Sequence, residues 1–487
     1  MFMNIRFHLI AILACSGCSH AADQPRSITL DVNEHWFEPI EERGRALHVA
    51  MPMPYEANFK DLAQRHQDTD RTVYIITLDS PDAIFMSAKF SRFVIPEGVS
   101  VTLSARDDVC VAGPFTINNN TSTGRFGTPM IPGDRMTIEI QVPQGVVEPE
   151  IVFESVSHGY KDVLGMGRYF NDHTHSTDAA GIERGGGFSC QRDIVCDEGQ
   201  PYILLKDAVA EGYDGAYVCS GQLVNNTRND GRYLYLTAAH CGWWQDPSTM
   251  AYYWDYANET CGGDDYPSFT YSLGSTNLYH SSNPDYDINL LELDGANLEG
   301  AYDIYYAGWN RGLQTPSSTF SISHPDDKPM QIAIDNDPAI DCAQGGCPGG
   351  WGVEYWRITD YEVGMPEGGS SGSALFDQDQ LVVGVLTGGV GTNCFDFGWD
   401  EYYKLSNEWA QLQPFLDPDN TGALTMPGWD GSSNPCSPDF NDDGELNFFD
   451  VSDFLAAYLA GADYNSDGST NFFDVSQFLA DFNAGCP

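Results

Sequence analysis

Three widely separated segments carry residue types that together could perform acyl transfer. Ser371 sits in the run Glu367-Gly368-Gly369-Ser370-Ser371-Gly372-Ser373-Ala374, where flanking glycines permit a tight turn around the hydroxyl. A serine hydroxyl is a poor nucleophile unless a base takes its proton and an acid orients that base. His240 ends the apolar run Leu236-Thr237-Ala238-Ala239-His240-Cys241, and Asp285-Tyr286-Asp287 heads the alternating stretch Ile288-Asn289-Leu290-Leu291-Glu292-Leu293. A lone glycine-flanked serine is weak evidence. Three segments in the order His, Asp, Ser, each beside strand-like apolar residues, are stronger, and other triad scaffolds use different orders.

A second chemistry closes the chain. Asp439, Asn441, Asp443 and Asp450 stand at positions 1, 3, 5 and 12 of an acidic loop, with Gly444 for the sharp turn and Glu445 after it. Asp463, Asn465, Asp467 and Asp474, with Gly468 and Ser469, repeat the pattern 24 residues on. Oxygens at these positions are what Ca²⁺ requires, so calcium is the expected cofactor, and none is expected for catalysis. Each loop is expected to run into an apolar helix, Val451 to Leu459 and Val475 to Phe482. Units this short need metal or a staple such as Cys436 to Cys486. His173 and His175 lack a third ligand nearby, and no His-Glu-x-x-His helix appears, so a metal hydrolase is not expected.

The elements that position these residues must come from two to four domains, because 487 residues exceed one ordinary core. Acidic residues outnumber basic ones 70 to 23, a formal charge of −47, which opposes nucleic acid and anionic membranes and favours basic substrates and cations. Residues 1–21 read as an export signal: Arg6, the apolar stretch Phe7 to Ala14, then Ser19 and Ala21 before a cut. Ile12-Leu13-Ala14-Cys15 competes as a lipoprotein signal with a lipid anchor at Cys15. No later apolar run approaches the roughly 20 residues that span a bilayer. An exported chain can oxidise its cysteines, but eleven follow the signal, so one is left over, and Cys110 is the candidate.

Residues 22–184 show short alternating runs, Arg71 to Leu78, Val99 to Ala105 and Met136 to Val142, which predict a β-sandwich. The polar stretch Asn171 to Gly187 reads as an exposed linker with Arg184–Gly185 as its cleavable bond. Residues 185–428 predict paired antiparallel barrels closed by a helix around Lys404 to Leu416; residues 429–435 predict a linker and 436–487 the calcium-binding module. The fold expected is thus mainly β, with a small helical pair at its end.

From Cys190 to about Pro418 the chain resembles the bacterial lysyl endopeptidases, a secreted branch of the trypsin-like serine proteases. The resemblance rests on Cys190-x5-Cys196-Asp-Glu-Gly, Ser220-Gly-Gln-Leu-Val-Asn-Asn-Thr, Leu236 to Gly242, Asp287 to Leu293, Ala307-Gly-Trp-Asn-Arg, Gly369 to Ser373 and Asp400-Glu-Tyr-Tyr. It implies a chymotrypsin-like double barrel, a zymogen, and disulfides Cys190–Cys394, Cys196–Cys261 and Cys219–Cys241, which leave Cys342 with Cys347. It also implies a mature chain starting at Gly185. The terminal repeats resemble a type I dockerin, which implies a cohesin-like or cell-surface partner.

In the implied mechanism Ser371 attacks, His240 is the base, and Asp287, preferred to Asp285 because it immediately precedes the strand, orients it. The backbone N–H groups of Gly369 and Ser371 would form the oxyanion hole. Ser370 stands where many trypsin relatives have aspartate, and Ser373 is a structural neighbour. Asp400 is expected at the base of a pocket for lysine or arginine, with Asp396 the competitor. The family's histidine before paired glycines is Thr387 here, ahead of Gly388 and Gly389, and Trp351 is the nearest aromatic candidate. Polypeptides with basic residues are the expected substrates. The alternative is an inactive protease-fold scaffold presenting its terminal module.

Overall fold

The computed structural model describes residues 27–32, 46–106, 111–167, 190–263, 270–283, 286–294, 298, 303–344, 347–390, 398–431, 438, 440, 446–459, 461–462, 464 and 470–484. Among these no helix is long and apolar enough to cross a membrane.

Period-two alternation builds the first domain. In Arg135–Pro143 every second residue from Met136 to Val142 is buried, so one face of the strand belongs to a core and the other to solvent. This strand lies between Arg71–Asp79 and Ser100–Ser104 in a six-stranded sheet. A five-stranded sheet centred on Phe85–Val94 and Glu150–Gly159 faces it. Ile138 and Ile140 of the first sheet share one core with Phe90, Phe153 and Val156 of the second. The result is the β-sandwich expected from the alternation.

The second region has two larger sheets. The first runs in the order Thr270–Leu273, Ala251–Trp254, Val209–Tyr213, Tyr217–Leu223, Leu234–Thr237, Asn289–Leu293, Ser275–His280. The other runs Gln331–Asp335, Thr319–Ser323, Ala374–Asp377, Val382–Gly389, Asp400–Lys404, Tyr355–Ile358, Ile340–Asp341. One core joins them, with Leu234, Leu236 and Leu290 meeting Phe320, Ile322 and Phe376. Lys404 belongs to a strand rather than to the closing helix: a 3-10 turn, Leu405–Glu408, precedes the α-helix Trp409–Leu416. Trp429, expected to open the linker, instead stacks on Tyr306 at 5.1 Å and exchanges backbone hydrogen bonds with it.

The terminal helices span Phe448–Leu459 and Phe472–Ala484, three residues longer at the start than the apolar pattern implied. Asn447 and Asn471 cap them through side-chain bonds to the amides of Phe449 and Phe473, each 2.8 Å. Phe454 and Phe478 stack at 3.9 Å between the helices.

The sandwich and the two larger sheets are not separate bodies. The sandwich core includes Tyr213, Val218 and Tyr253 of the first of these sheets. The Met130 amide donates to Tyr253 OH at 2.7 Å, and Arg125 makes a two-pronged ion pair with Asp246. Phe153 is fully buried and packs on Phe90 at 4.7 Å. Phe153→Ala should therefore cost about 3–5 kcal/mol in urea unfolding, and a loss under about 1 kcal/mol would place this residue outside the core.

Candidate active site

His240 lies in a 3-10 turn, Ala239–Cys241, at the end of Leu234–Thr237, and Gly242 with φ +77° ends that turn. Cys241 is bonded to Cys219 of the neighbouring strand, which fixes the turn from the next residue. Asp287 precedes Asn289–Leu293, the strand paired with Leu234–Thr237, so Thr237 sits opposite Asn289. Strand pairing therefore brings base and acid together: Asp287 Oδ2 accepts from His240 Nδ1 at 2.7 Å and Oδ1 accepts the His240 amide at 2.8 Å. Burial pushes the Asp287 carboxyl up. The His240 imidazole and the hydrogen bonds from His240 outweigh that and hold it below its usual value.

Ser371 comes from the other sheet, in the turn before Ala374–Asp377. Its carbonyl accepts the Ser220 amide at 2.9 Å, and Cys241 Sγ lies 4.0 Å from the same oxygen. Gly372, φ +83°, makes this approach possible: a Cβ there would collide with Thr237 Oγ1 and stand 2.5 Å from the Ser220 carbonyl. His240 Nε2 is buried and has no hydrogen-bond partner among the described residues, so the nitrogen that would take a proton is uncommitted.

The nucleophile's turn is held by side chains rather than by a buried ion pair. Ser370 Oγ accepts the Glu367 amide at 3.2 Å and bonds Ser323 Oγ at 2.9 Å, while Ser373 Oγ accepts from Ser321 Oγ at 3.1 Å. The His324 amide donates to Ser220 Oγ (3.0 Å), which donates to the Gly369 carbonyl (2.9 Å). With that carbonyl tied down, the amides of Gly369 and Ser371 donate to no described protein group. His324 itself is neutral, pushed down to about 4 by burial.

Asp400 is buried on a strand opposite Gly389, whose missing side chain leaves room for the carboxylate. Tyr361 OH donates to it at 3.0 Å, yet burial pushes the carboxyl up to about 7. Thr387 lies on the strand Val382–Gly389, ahead of Gly388 and Gly389. Its hydroxyl faces Asp287 and Tyr355 and supports the Asp287 anion, although it completes no hydrogen bond of good geometry. Trp351 packs edge-on against Trp399 at 5.2 Å, next to Asp400 in sequence. Sequence reasoning missed Ser220, His324 and Tyr361; only Ser220 carried a signal, as the residue after a bridged cysteine.

Disulfides join Cys196–Cys261, Cys219–Cys241 and Cys342–Cys347. Cys190 is disulfide-bonded, and Cys394 lies outside the described residues, as do Cys15, Cys110, Arg184, Gly185, Asp285, Asp396, Cys436 and Cys486. Of the calcium candidates, Asp439, Asn441, Asp443, Glu445, Asp463, Asn465, Asp467 and Ser469 also lie outside them. Asp450 and Asp474 are described and fully buried, accepting the amides of Asn447 at 2.7 Å and Asn471 at 2.6 Å.

Two joined antiparallel sheets, with histidine and aspartate on one and serine on the other, form the chymotrypsin-like double-barrel protease fold. Residues 185–404 match the family described as Lysyl endopeptidase, C-terminal domain. A lysyl endopeptidase of Pseudomonas aeruginosa is 29% identical over 268 residues, 51% of this chain and 53% of that protein. The chain thus spans about half the length of the curated relative it matches. Human heparin binding protein is similar over 43% of this chain and 92% of its own, with 17% identity and a TM-score of 0.32. The HtrA-type protease AlgW with a tripeptide is similar over 45% and 62%, with 14% identity and a TM-score of 0.30.

Gly372→Ala tests the joint between the sheets. The collision with backbone and the positive φ should cost about 2–3 kcal/mol in urea unfolding; unchanged stability would mean that the turn does not need this approach.

Proposed function

We propose that the chain is a serine endopeptidase that cuts polypeptides after lysine or arginine. The observation that carries this reading is the double hold of Asp287 on His240, beside a serine turn whose two amides have no acceptor among the described residues. Ser371 Oγ attacks the scissile carbonyl as His240 Nε2 takes its proton. Asp287 on Nδ1 fixes the tautomer and stabilises the imidazolium without itself being protonated. The amides of Gly369 and Ser371 receive the oxyanion, each contributing on the order of 3 kcal/mol. His240 then gives its proton to the departing amine, and water releases the acyl group. Asp287→Asn should lower kcat by about 10⁴-fold for a lysine ester, and a fluorophosphonate should label the wild type but not Ser371→Ala. Labelling that persists in Ser371→Ala would sink the reading, and a wild type that takes no label would favour an inactive scaffold.

Asp400 supplies the basic preference. Burial pushes its carboxyl up to about 7 and so favours the neutral form, and a lysine or arginine cation beside it would favour the charged form. The sign follows from the raised value: ionising Asp400 costs folding stability as pH rises toward 7, and the bound cation offsets that cost. Binding of a lysine amide to the Ser371→Ala chain should therefore weaken as pH falls from 8 to 6, and Asp400→Asn should abolish both the affinity and its pH dependence. A pH profile unchanged in Asp400→Asn would move the specificity role elsewhere.

The reading includes export as a zymogen, lipid attachment at Cys15 if the lipoprotein signal is used, and a calcium-loaded, dockerin-like tail that engages a cohesin-like or cell-surface partner. Support for the metal comes from Asp450 and Asp474, buried carboxylates at the closing position of each loop. Calcium would neutralise them where the surrounding protein is itself acidic. Chelation should reduce helical far-UV signal while leaving ester hydrolysis unchanged; an unchanged spectrum would remove calcium from the proposal.

A further inference from the structure

The sandwich domain reaches the active site through a segment too short to be legible as an element. Leu47–His48 pairs antiparallel with Tyr217–Leu223, Leu47 opposite Val218 and His48 opposite Tyr217. The next residue on the catalytic strand is Cys219, bonded to Cys241 beside His240. This register carries the chain ahead of Leu47 toward His240, and Ala46 lines one cavity of about 340 Å³ with His240, Cys241 and Gly242. Leu47 covers the turn of the nucleophile: a Cβ added at Gly368 or Gly369 would meet its Cδ1 at 3.3 Å or its Cδ2 at 3.5 Å.

Direction matters as much as position. From Ala46 the chain runs away from His240 into the sandwich, where the Val49 and Ala50 amides both donate to the Ala216 carbonyl at 2.9 and 3.1 Å. The His48 ring packs on Tyr217 at 4.6 Å, and Tyr160 OH bonds His48 Nδ1 at 2.7 Å. Lys161 of the sandwich pairs with Asp326, whose amide donates to the Gly368 carbonyl at 2.6 Å. The segment is therefore extended, paired as an added strand, and anchored at its far end. Its polarity is that of the departing half of a substrate, because its N-terminal residue Ala46 is the one beside His240 and the chain runs away from the site toward Val49.

We propose that Ala46–His48 is a substrate-like strand with which the N-terminal domain fills the leaving-group side of its own active site. The attached domain then blocks polypeptide substrates, and the bond ahead of Ala46 is the one offered for cleavage. This rests on the reading of the site as a protease. The preceding residue in the sequence is Arg45, outside the described residues, a basic side chain of the class the Asp400 pocket takes. Cleavage would transfer the acyl carbon to Ser371 Oγ and break the C–N bond to Ala46. The new amine leaves with the proton from His240, and water frees the carboxylate. It follows that the site prefers a small residue and then a large apolar one after the cut, as Ala46 and Leu47 are.

The test uses the full chain carrying Ser371→Ala, in which the strand stays covalently intact, and the capped peptide Gly-Arg-Ala-Leu-His-Val, the sequence of residues 44–49, as the probe. Leu47→Glu in this background should raise the calorimetric affinity for the peptide about tenfold or more, with Leu47→Ala giving a smaller gain should the charged variant fold poorly. Equal affinities with and without the Leu47 substitutions would overturn the proposal. A Leu47→Glu chain that retains Ser371, binds the peptide and leaves it uncut would instead refute the protease reading while leaving the strand's occupancy standing.

Discussion

The contact on which the site depends is the bond from the Ser220 amide to the Ser371 carbonyl, 2.9 Å, at the seam between the two sheets. Nothing in the primary structure connects these residues, yet three constraints meet there. Ser220 follows Cys219, whose disulfide fixes Cys241 and therefore His240. Gly372 lets the serine turn close on Thr237. Ser220 Oγ holds the Gly369 carbonyl and leaves the opposite amide for an oxyanion. Displacing one of these tilts the others, which is how a site split between two sheets keeps sub-ångström geometry without a loop of its own.

Electrostatics separates two buried aspartates that the sequence treats alike. Asp287 is surrounded by donors: an imidazole, an amide and a nearby hydroxyl keep it ionised despite full burial. Among the described residues Asp400 accepts a side-chain hydrogen bond from the Tyr361 phenol, and burial outweighs it, so the carboxyl rises to about 7. The surroundings of the first favour its anion, which holds the imidazole, whereas burial pushes the second toward its neutral form. A formal charge of −47 favours a cationic ligand at the second, because the long-range field gathers cations around the protein before any contact is made.

The parts legible in the sequence were those whose chemistry is local. Glycines around Ser371, the apolar run before His240 and the alternation in Arg135–Pro143 each depend on neighbours within a few residues. Asparagine caps at Asn447 and Asn471 are local too, but adjacent phenylalanines hid them, since exposed Phe448 and Phe472 do not look like a first helical turn. Thr387 shows a different limit: alignment gives a position, whereas backbone pleat decides that the hydroxyl faces Asp287. Tyr361 and Asp400 lie on separate elements, so their bond could not be read from either segment. The strand Leu47–His48 carried no signal because two residues have no period.

That short strand also accounts for why the sandwich and the catalytic sheets share a core. An inhibitor held by two backbone pairs alone would exchange freely with substrate, which can form the same pairs with the same edge. What favours the internal strand is effective concentration, and that requires the sandwich to stay docked. Tyr213, Val218 and Tyr253 in its core, the Arg125–Asp246 pair and the Lys161–Asp326 pair supply the docking away from the cleft. Cutting the bond ahead of Ala46 would leave all of these contacts in place, so cleavage alone would not open the leaving-group side. Release of the domain would need a second event that undoes these contacts.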